Sequence, residues 1–192
     1  MHADGYKGEG ISIAIFDSGF QGVNVTAAFS LLNTDNRIKQ AFNFVSNTSN
    51  VFVADDHGTE VLSVMAAYTE GTYVGGAYKA DYYLYLTEDI SSEYRIEEFN
   101  WTFAAEKADS AGVQIINSSL GYNEFDDESM DYTKISTGWT RAYITRAARM
   151  AIERGIIVVV SAGNEGNNSW QLVTPPADAD RYYSSGFCNS RR

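Results

Sequence analysis

Residues 8–19 read GEGISIAIFDSG, and their reading decides the fold. A glycine-rich turn delivers the chain into ISIAIF (residues 11–16), an apolar run rich in β-branched residues, and Asp17-Ser18-Gly19 ends it with a turn signal. Six residues are too few for a stable helix and the right length for a strand. Comparable runs occur at QAFNFV (40–45), DYYLYL (81–86), VQIINS (113–118) and IIVVV (156–160). The last is apolar throughout, as a strand buried on both faces would be. Between these runs lie stretches with helical spacing. Residues 58–68 carry Val61, Leu62, Met65 and Ala66; residues 93–111 carry Ile96, Phe99, Phe103 and Lys107 near one stripe. Residues 139–154 carry Ala142, Ile144, Ala148 and Ile152, and Gly155 stops that helix. Strands alternating with amphipathic helices predict an α/β fold with a mostly parallel central sheet covered by helices. Residues 123–135 are expected to form a mobile surface segment.

Composition narrows the function. The 192 residues hold 25 acidic and 14 basic side chains, for a net charge of −11. Nucleic-acid binding needs a basic face, so that class is set aside. No apolar run approaches the ~18 residues of a membrane span. The single cysteine, Cys188, cannot form an internal disulfide, and His2 and His57 lie too far apart to suggest a zinc site. Residues 1–10 show no apolar stretch like that of a signal peptide.

In parallel sheets, ligands bind at the carboxyl ends of strands. Asp17 follows the first strand, Ser119-Leu120-Gly121 follows the VQIINS strand, and Asn164 follows IIVVV by way of Ser161-Ala162-Gly163. His57 opens the helix that begins near residue 58. A carboxylate that accepts from an imidazole fixes its tautomer, and the free ring nitrogen can then take a proton from a hydroxyl. Asp17 and His57 are the residue types for that task. Glycines at Gly5, Gly8 and Gly10 raise a nucleotide-binding reading, but they precede the first strand instead of joining it to a helix, so the phosphate-cradling geometry is absent.

Four segments carry a resemblance. Residues 8–19, ending in Asp17-Ser18-Gly19, resemble the aspartate motif of subtilases, the subtilisin-like serine proteases of peptidase family S8. Asp56-His57-Gly58-Thr59 is similar to the histidine motif at a helix start. Ser118-Ser119-Leu120-Gly121 resembles the strand forming one wall of the primary specificity pocket, and Ser161-Ala162-Gly163-Asn164 the segment with the oxyanion asparagine. The resemblance implies a three-layer subtilisin-like fold and a serine endopeptidase. Asp17 would orient the imidazole, His57 would act as general base and then acid, and Asn164 would donate to the oxyanion. Ser119, Leu120, Gly121, Ala162 and Gly163 would bind an extended peptide or protein substrate by strand addition. No cofactor is implied as required. Calcium is a structural ion of some family members, and Asp35, Asp55, Asp81 and Asp89 are available for it without a continuous loop of calcium spacing. A secreted or periplasmic location is the family's habit.

The pattern departs from the family at its fourth element, Gly-Thr-Ser followed by a helix. No such segment occurs in these 192 residues, so the chain contains no recognisable nucleophile. Residues 1–180 read as a partial catalytic domain and residues 181–192 (RYYSSGFCNSRR) as an aberrant or disordered tail, lacking the alternation a strand needs and consistent with a truncated or frame-shifted gene. A chain ending there is expected to be inactive and, with sheet surface uncovered, prone to aggregate. The rival reading is a pseudoprotease that binds extended peptides without cleaving them.

Overall fold

The computed structural model describes residues 2–133, 142–164 and 173–179, together with the backbone of residues 183–185. In chain order its strands and α-helices are β1 (Ser12–Asp17), α1 (Ser30–Thr34), β2 (Ile38–Asn43), α2 (His57–Ala66), β3 (Tyr68–Thr69), β4 (Tyr73–Val74), β5 (Asp81–Leu86), α3 (Ile96–Ser110), β6 (Ile115–Ser118), α4 (Tyr143–Glu153), β7 (Ile157–Ser161) and β8 (Tyr183–Ser185). Six strands form one parallel sheet in the order β2-β5-β1-β6-β7-β8, and β3 and β4 make a separate antiparallel pair. The expected α/β architecture is therefore present.

Strand alternation sorts β1 between two cores. Ala14 and Phe16 face the side covered by α3 and α4, where Trp101, Ala104, Ile144 and Ala148 are buried. Ile13 and Ile15 face the opposite core, which contains Leu62 and Ala66 of α2. By the same period of two, Asp17 shares the face of Ile13 and Ile15, so its carboxylate points toward the layer that begins with His57. Complete burial of Leu62 anchors α2 on that face and contributes about 2 kcal/mol.

Three expectations need correction. The stripe Ile96, Phe99 and Phe103 does not face the sheet: these side chains are 59%, 39% and 54% exposed. The buried face of α3 instead carries Trp101, Ala104 and Ala108, together with Glu97 and Glu98. Alanines let the helix approach closely, Trp101 fills the space against Phe16, and its Nε1–H donates to Ser118 Oγ at 3.0 Å. Second, β7 is not buried on both faces. Val158 and Val160 are inside, but Ile157 is 46% exposed, because among the described residues α2 lies over β1 and not over β7. Third, the segment expected to be mobile is tied down as far as Thr133. Phe125 and Tyr132 are buried, Tyr132 donates its hydroxyl to Glu98 Oε1 at 2.5 Å, and Arg95 Nε donates to Met130 O at 2.8 Å. Residues 134 and 135, and residues 139–141 of the last predicted helix, lie outside the described residues.

The stretch from Arg181 also differs from expectation over three residues. β8 pairs parallel with β7, with Val159 opposite Tyr183 and Ser161 opposite Ser185. Strand addition at a sheet edge is made by main-chain groups, so apolar alternation is not required for it. The rest of that stretch, including Cys188, lies outside the described residues.

Candidate active site

Parallel register brings the strand ends to one rim. Phe16 is level with Ser118, Ser118 with Val160, and Asp17 with Leu86. The residues just beyond these strand ends (Ser18, Ser119-Leu120-Gly121, Ala162-Gly163-Asn164 and Thr87-Glu88-Asp89) therefore meet on the same side of the sheet. This juxtaposition cannot be read from spacing, because 40 to 147 residues of chain separate Asp17 from His57 and Asn164.

Asp17 is completely buried, and its Oδ1 accepts from His57 Nδ1 at 2.7 Å, from the Ser18 amide at 2.9 Å and from Ser18 Oγ at 3.3 Å. Among the described residues Oδ2 is buried without a partner. With Nδ1–H committed to the carboxylate, Nε2 is the ring's free acceptor, and the imidazole is 47% exposed. The His57 pKa is raised, chiefly by the hydrogen bond to Asp17. Partial burial opposes the rise, and the charges of Asp17, Asp55 and Glu60 add to it. Asp55 is held by Ser18 Oγ at 2.9 Å, so the acidic surroundings of the imidazole are part of the same hydrogen-bonded loop.

The close approach of α2 to β1 depends on Gly58. A Cβ there would lie 2.4 Å from Gly19 O and 2.9 Å from Asp17 Cβ. Any side chain at 58 would push the helix away from the strand end and separate His57 from Asp17.

Beside this pair lies a cleft of about 310 Å³. Ser119, Leu120, Gly121, Gly163 and Asn164 line it, with Ser18 joining it to the Asp17–His57 pair. Of the residues expected to bind substrate, Ala162 does not line the cleft; its carbonyl accepts from Thr174 N at 3.3 Å, which secures the loop from behind. Thr174, Ser161, Glu88, Asp89, Ile90, Glu93 and Glu97 complete the wall and were not among the residues expected to bind substrate. A signal for the acidic residues was present: Glu88-Asp89 comes just after the DYYLYL strand, and Glu93 and Glu97 are four apart across a helix start. Glu88 Oε2 accepts from Tyr122 Oη at 2.5 Å and Oε1 from Thr87 Oγ1 at 2.8 Å. Burial raises the pKa of Glu88, moves Glu97 to about 10 and Glu93 to about 7, and the neighbouring carboxylates add to the last two shifts.

The aspartates available to calcium do not converge. Asp35 and Asp81 pair with Arg37, Asp81 also pairs with Lys39, and Asp89 accepts from Ser91. Among the described residues the one group of three or more potential ligand side chains with converging atoms is Glu88, Glu93 and Glu97. None of these four aspartates belongs to that group.

The site is thus a buried Asp accepting from a half-exposed His at the carboxyl rim of a parallel sheet, beside a cleft that holds an asparagine. The chain belongs to the subtilase family: the family model described as "Peptidase_S8: Subtilase family" matches residues 8–186. It is 27% identical over 193 residues to subtilisin DY of Bacillus licheniformis, covering 100% of this chain and 61% of that protein. It is 27% identical over 194 residues to subtilisin E of Bacillus subtilis (strain 168), covering 99% of this chain and 44% of the relative. The chain thus spans about half the length of curated relatives it matches. Among solved structures it resembles MycP1 with the N-terminal propeptide removed (TM-score 0.57, 21% identity, 84% of this chain and 46% of that one). It also resembles the prenylagaramide maturation protease PagA (TM-score 0.60, 17% identity, 86% and 50%). These two likenesses speak to the fold.

Proposed function

We propose that this chain carries the proton-transfer and oxyanion side of a serine endopeptidase that binds extended peptides. The observation that carries the reading is the 2.7 Å contact from His57 Nδ1 to the buried Asp17 Oδ1 at the end of the central strand. In this reading His57 Nε2 takes the proton of a serine hydroxyl as the hydroxyl attacks the scissile carbonyl, then returns it to the leaving amine. Asp17 holds the tautomer and balances the imidazolium. Asn164 donates its side-chain amide to the oxyanion; in subtilisin, losing such a donor costs roughly 10²–10³-fold in kcat. Ser119, Leu120, Gly121 and Gly163 offer main-chain edges to the peptide.

The serine itself is absent from these 192 residues, which contain no Gly-Thr-Ser. That observation favours a second reading for the chain as it stands, a peptide-binding module that uses the same cleft without chemistry. The test compares this chain with any longer product of its coding DNA. We expect no labelling of the 192-residue chain by a serine-directed phosphonate. A product continuing into a Gly-Thr-Ser segment should be labelled and should cleave an internally quenched peptide. Cleavage that survives His57→Ala would refute the endopeptidase reading; binding of extended peptides without cleavage by every product would establish the module. An extracellular site of action is part of the proposal, supported by a relative named as the minor extracellular protease Vpr of Bacillus subtilis (strain 168), 27% identical over 180 residues. Among the described residues no helix is long and apolar enough to cross a membrane.

A further inference from the structure

The two main-chain edges of the cleft, at Gly121 and Gly163, face the same side chain. A Cβ on Gly121 would lie 2.2 Å from Thr174 Oγ1 and 3.1 Å from Thr174 Cβ; one on Gly163 would lie 2.6 Å from the same Oγ1 and 3.1 Å from Cγ2. Gly163 has a φ of +84°, which favours glycine by itself. Gly121 is not among the positive-φ glycines, so Thr174 is what leaves it no room for a side chain. Thr174 therefore stands between the two edges and touches both. It lines the cleft and is only 2% exposed, which makes it floor and not rim. Its Oγ1 has no hydrogen-bond partner among the described residues, so packing and the main chain hold the side chain in place, not its hydroxyl. The main chain here is tied to both walls. Thr174 N donates to Ala162 O at 3.3 Å, and Tyr122 N donates to Pro175 O at 2.9 Å. Ser161 Oγ joins the walls directly, donating to Leu120 O at 3.3 Å.

We propose that Thr174 is a specificity-determining residue: it limits the peptide residue that enters between Gly121 and Gly163 to a small side chain, that of glycine, alanine or serine. This inference rests on the reading of the cleft as a peptide site and names the class of peptide it takes. The argument is steric. At its floor the gap between the two edges is one side-chain group wide, because Thr174 fills it while lying close enough to both glycines to exclude a methyl from either. A leucine or aromatic side chain needs that volume. It can gain it only by moving Thr174, and the hydrogen bonds from this segment to both walls oppose the move. One methylene too many in a fixed pocket costs about 10–200-fold in discrimination. Selectivity of this kind comes from a clash with the wrong side chain and needs no special contact with the right one. It therefore agrees with a threonine whose hydroxyl is buried and bonds to nothing among the described residues.

The test uses the complete 192-residue chain and fluorescent peptides with blocked ends in an anisotropy titration. Alanine, leucine and phenylalanine are compared at each position of an extended host peptide in turn. We expect one position at which leucine and phenylalanine bind at least about tenfold more weakly than alanine. In Thr174→Gly that penalty should fall to about twofold or less. In Thr174→Val, which keeps the volume and removes the hydroxyl, it should remain. If circular dichroism shows that the glycine variant does not fold, Thr174→Ala takes its place, since it removes Oγ1 and Cγ2 and keeps only Cβ. Urea melts check the slot without any peptide. Gly121→Ala should lower the midpoint of the parent chain, and lower it much less in a Thr174→Ala background, where the atom at 2.2 Å is gone. Three peptide results overturn the inference and leave the cleft reading standing: no size limit at any position, a limit that survives removal of the Thr174 side chain, or a limit lost in Thr174→Val. Equal drops in the two melting backgrounds overturn it as well. If no peptide binds at all, the cleft reading falls and this inference with it.

Discussion

Replacing Asp17 with Asn tests the central contact with little disturbance of shape, because the two side chains are nearly isosteric and the site is fully buried. Asn can still accept from His57 Nδ1–H, so the change removes charge more than geometry. Hydrogen bonds to a charged partner contribute about 1.5–3 kcal/mol, against about 0.5–1.5 for neutral pairs. The difference is about 1–1.5 kcal/mol, or roughly one pKa unit at about 1.4 kcal/mol per unit. The imidazole is 47% exposed, so solvent screening places the expected fall near the lower end of that range. Asp55 and Glu60 still favour the imidazolium in the variant, while partial burial opposes it. In the parent chain the folded state holds the His57 proton more tightly than the unfolded state. The stability drawn from the pair is therefore complete below the ordinary histidine value of about 6.5 and lost as pH rises through the raised one. The deficit of Asp17→Asn should be larger at about pH 5.5 than at about pH 9. Long-range ¹H–¹⁵N spectra of the imidazoles read the pKa directly, since the chain has two histidines and His2 serves as the internal reference. Urea melts at the two pH values read the stability. A His57 pKa that stays within about 0.3 units of the parent value would refute the argument, because it would mean that the pair does not form in solution.

Gly58→Ala should destabilise the chain by about 2–3 kcal/mol, since the new methyl meets backbone at 2.4 Å, and it should lower the His57 pKa. Gly76→Ala, where the nearest atom is Val64 O at 4.0 Å, should change the urea midpoint little. The chain should be more stable at about pH 5 than at about pH 8. The Glu93 and Glu97 carboxyls stay protonated in the folded state to about 7 and 10 but ionise near 4.5 when unfolded, so the unfolded state loses protons first and stability falls with pH. Glu88, Asp126 and the buried Tyr122 face the same cluster, and the carboxylates among them reinforce the trend. A Tm at pH 8 lower by at least about 2–4 °C, equivalent to about 1 kcal/mol in a chain this size, is expected in differential scanning calorimetry. Equal or higher stability at that pH would count against the buried trio. Tyr122→Phe should cost about 1–2 kcal/mol by leaving Glu88 Oε2 without its donor, and denaturant titration checks it.

Much of this was legible in the sequence. Strand runs such as ISIAIF and DYYLYL announce themselves by length and β-branched or aromatic content, and the chain order of Asp17, His57 and Asn164 follows the motifs around them. Which face of a helix turns inward was harder. On α3 the more apolar stripe, Ile96, Phe99 and Phe103, lies outside, and Glu97 and Glu98 lie inside, because burial there is governed by close packing of Ala104 and Ala108 and by the hydroxyl of Tyr132, which donates to Glu98. Periodicity registers the apolar residues and cannot register a hydrogen-bond partner that arrives from 34 residues away. Local chemistry determined the strands, their turns and the residue types at their ends. Only the tertiary structure decided that those ends share one rim and that Asp17 lies on the face of His57, because parallel register and side-chain alternation act through space between segments that the chain keeps far apart.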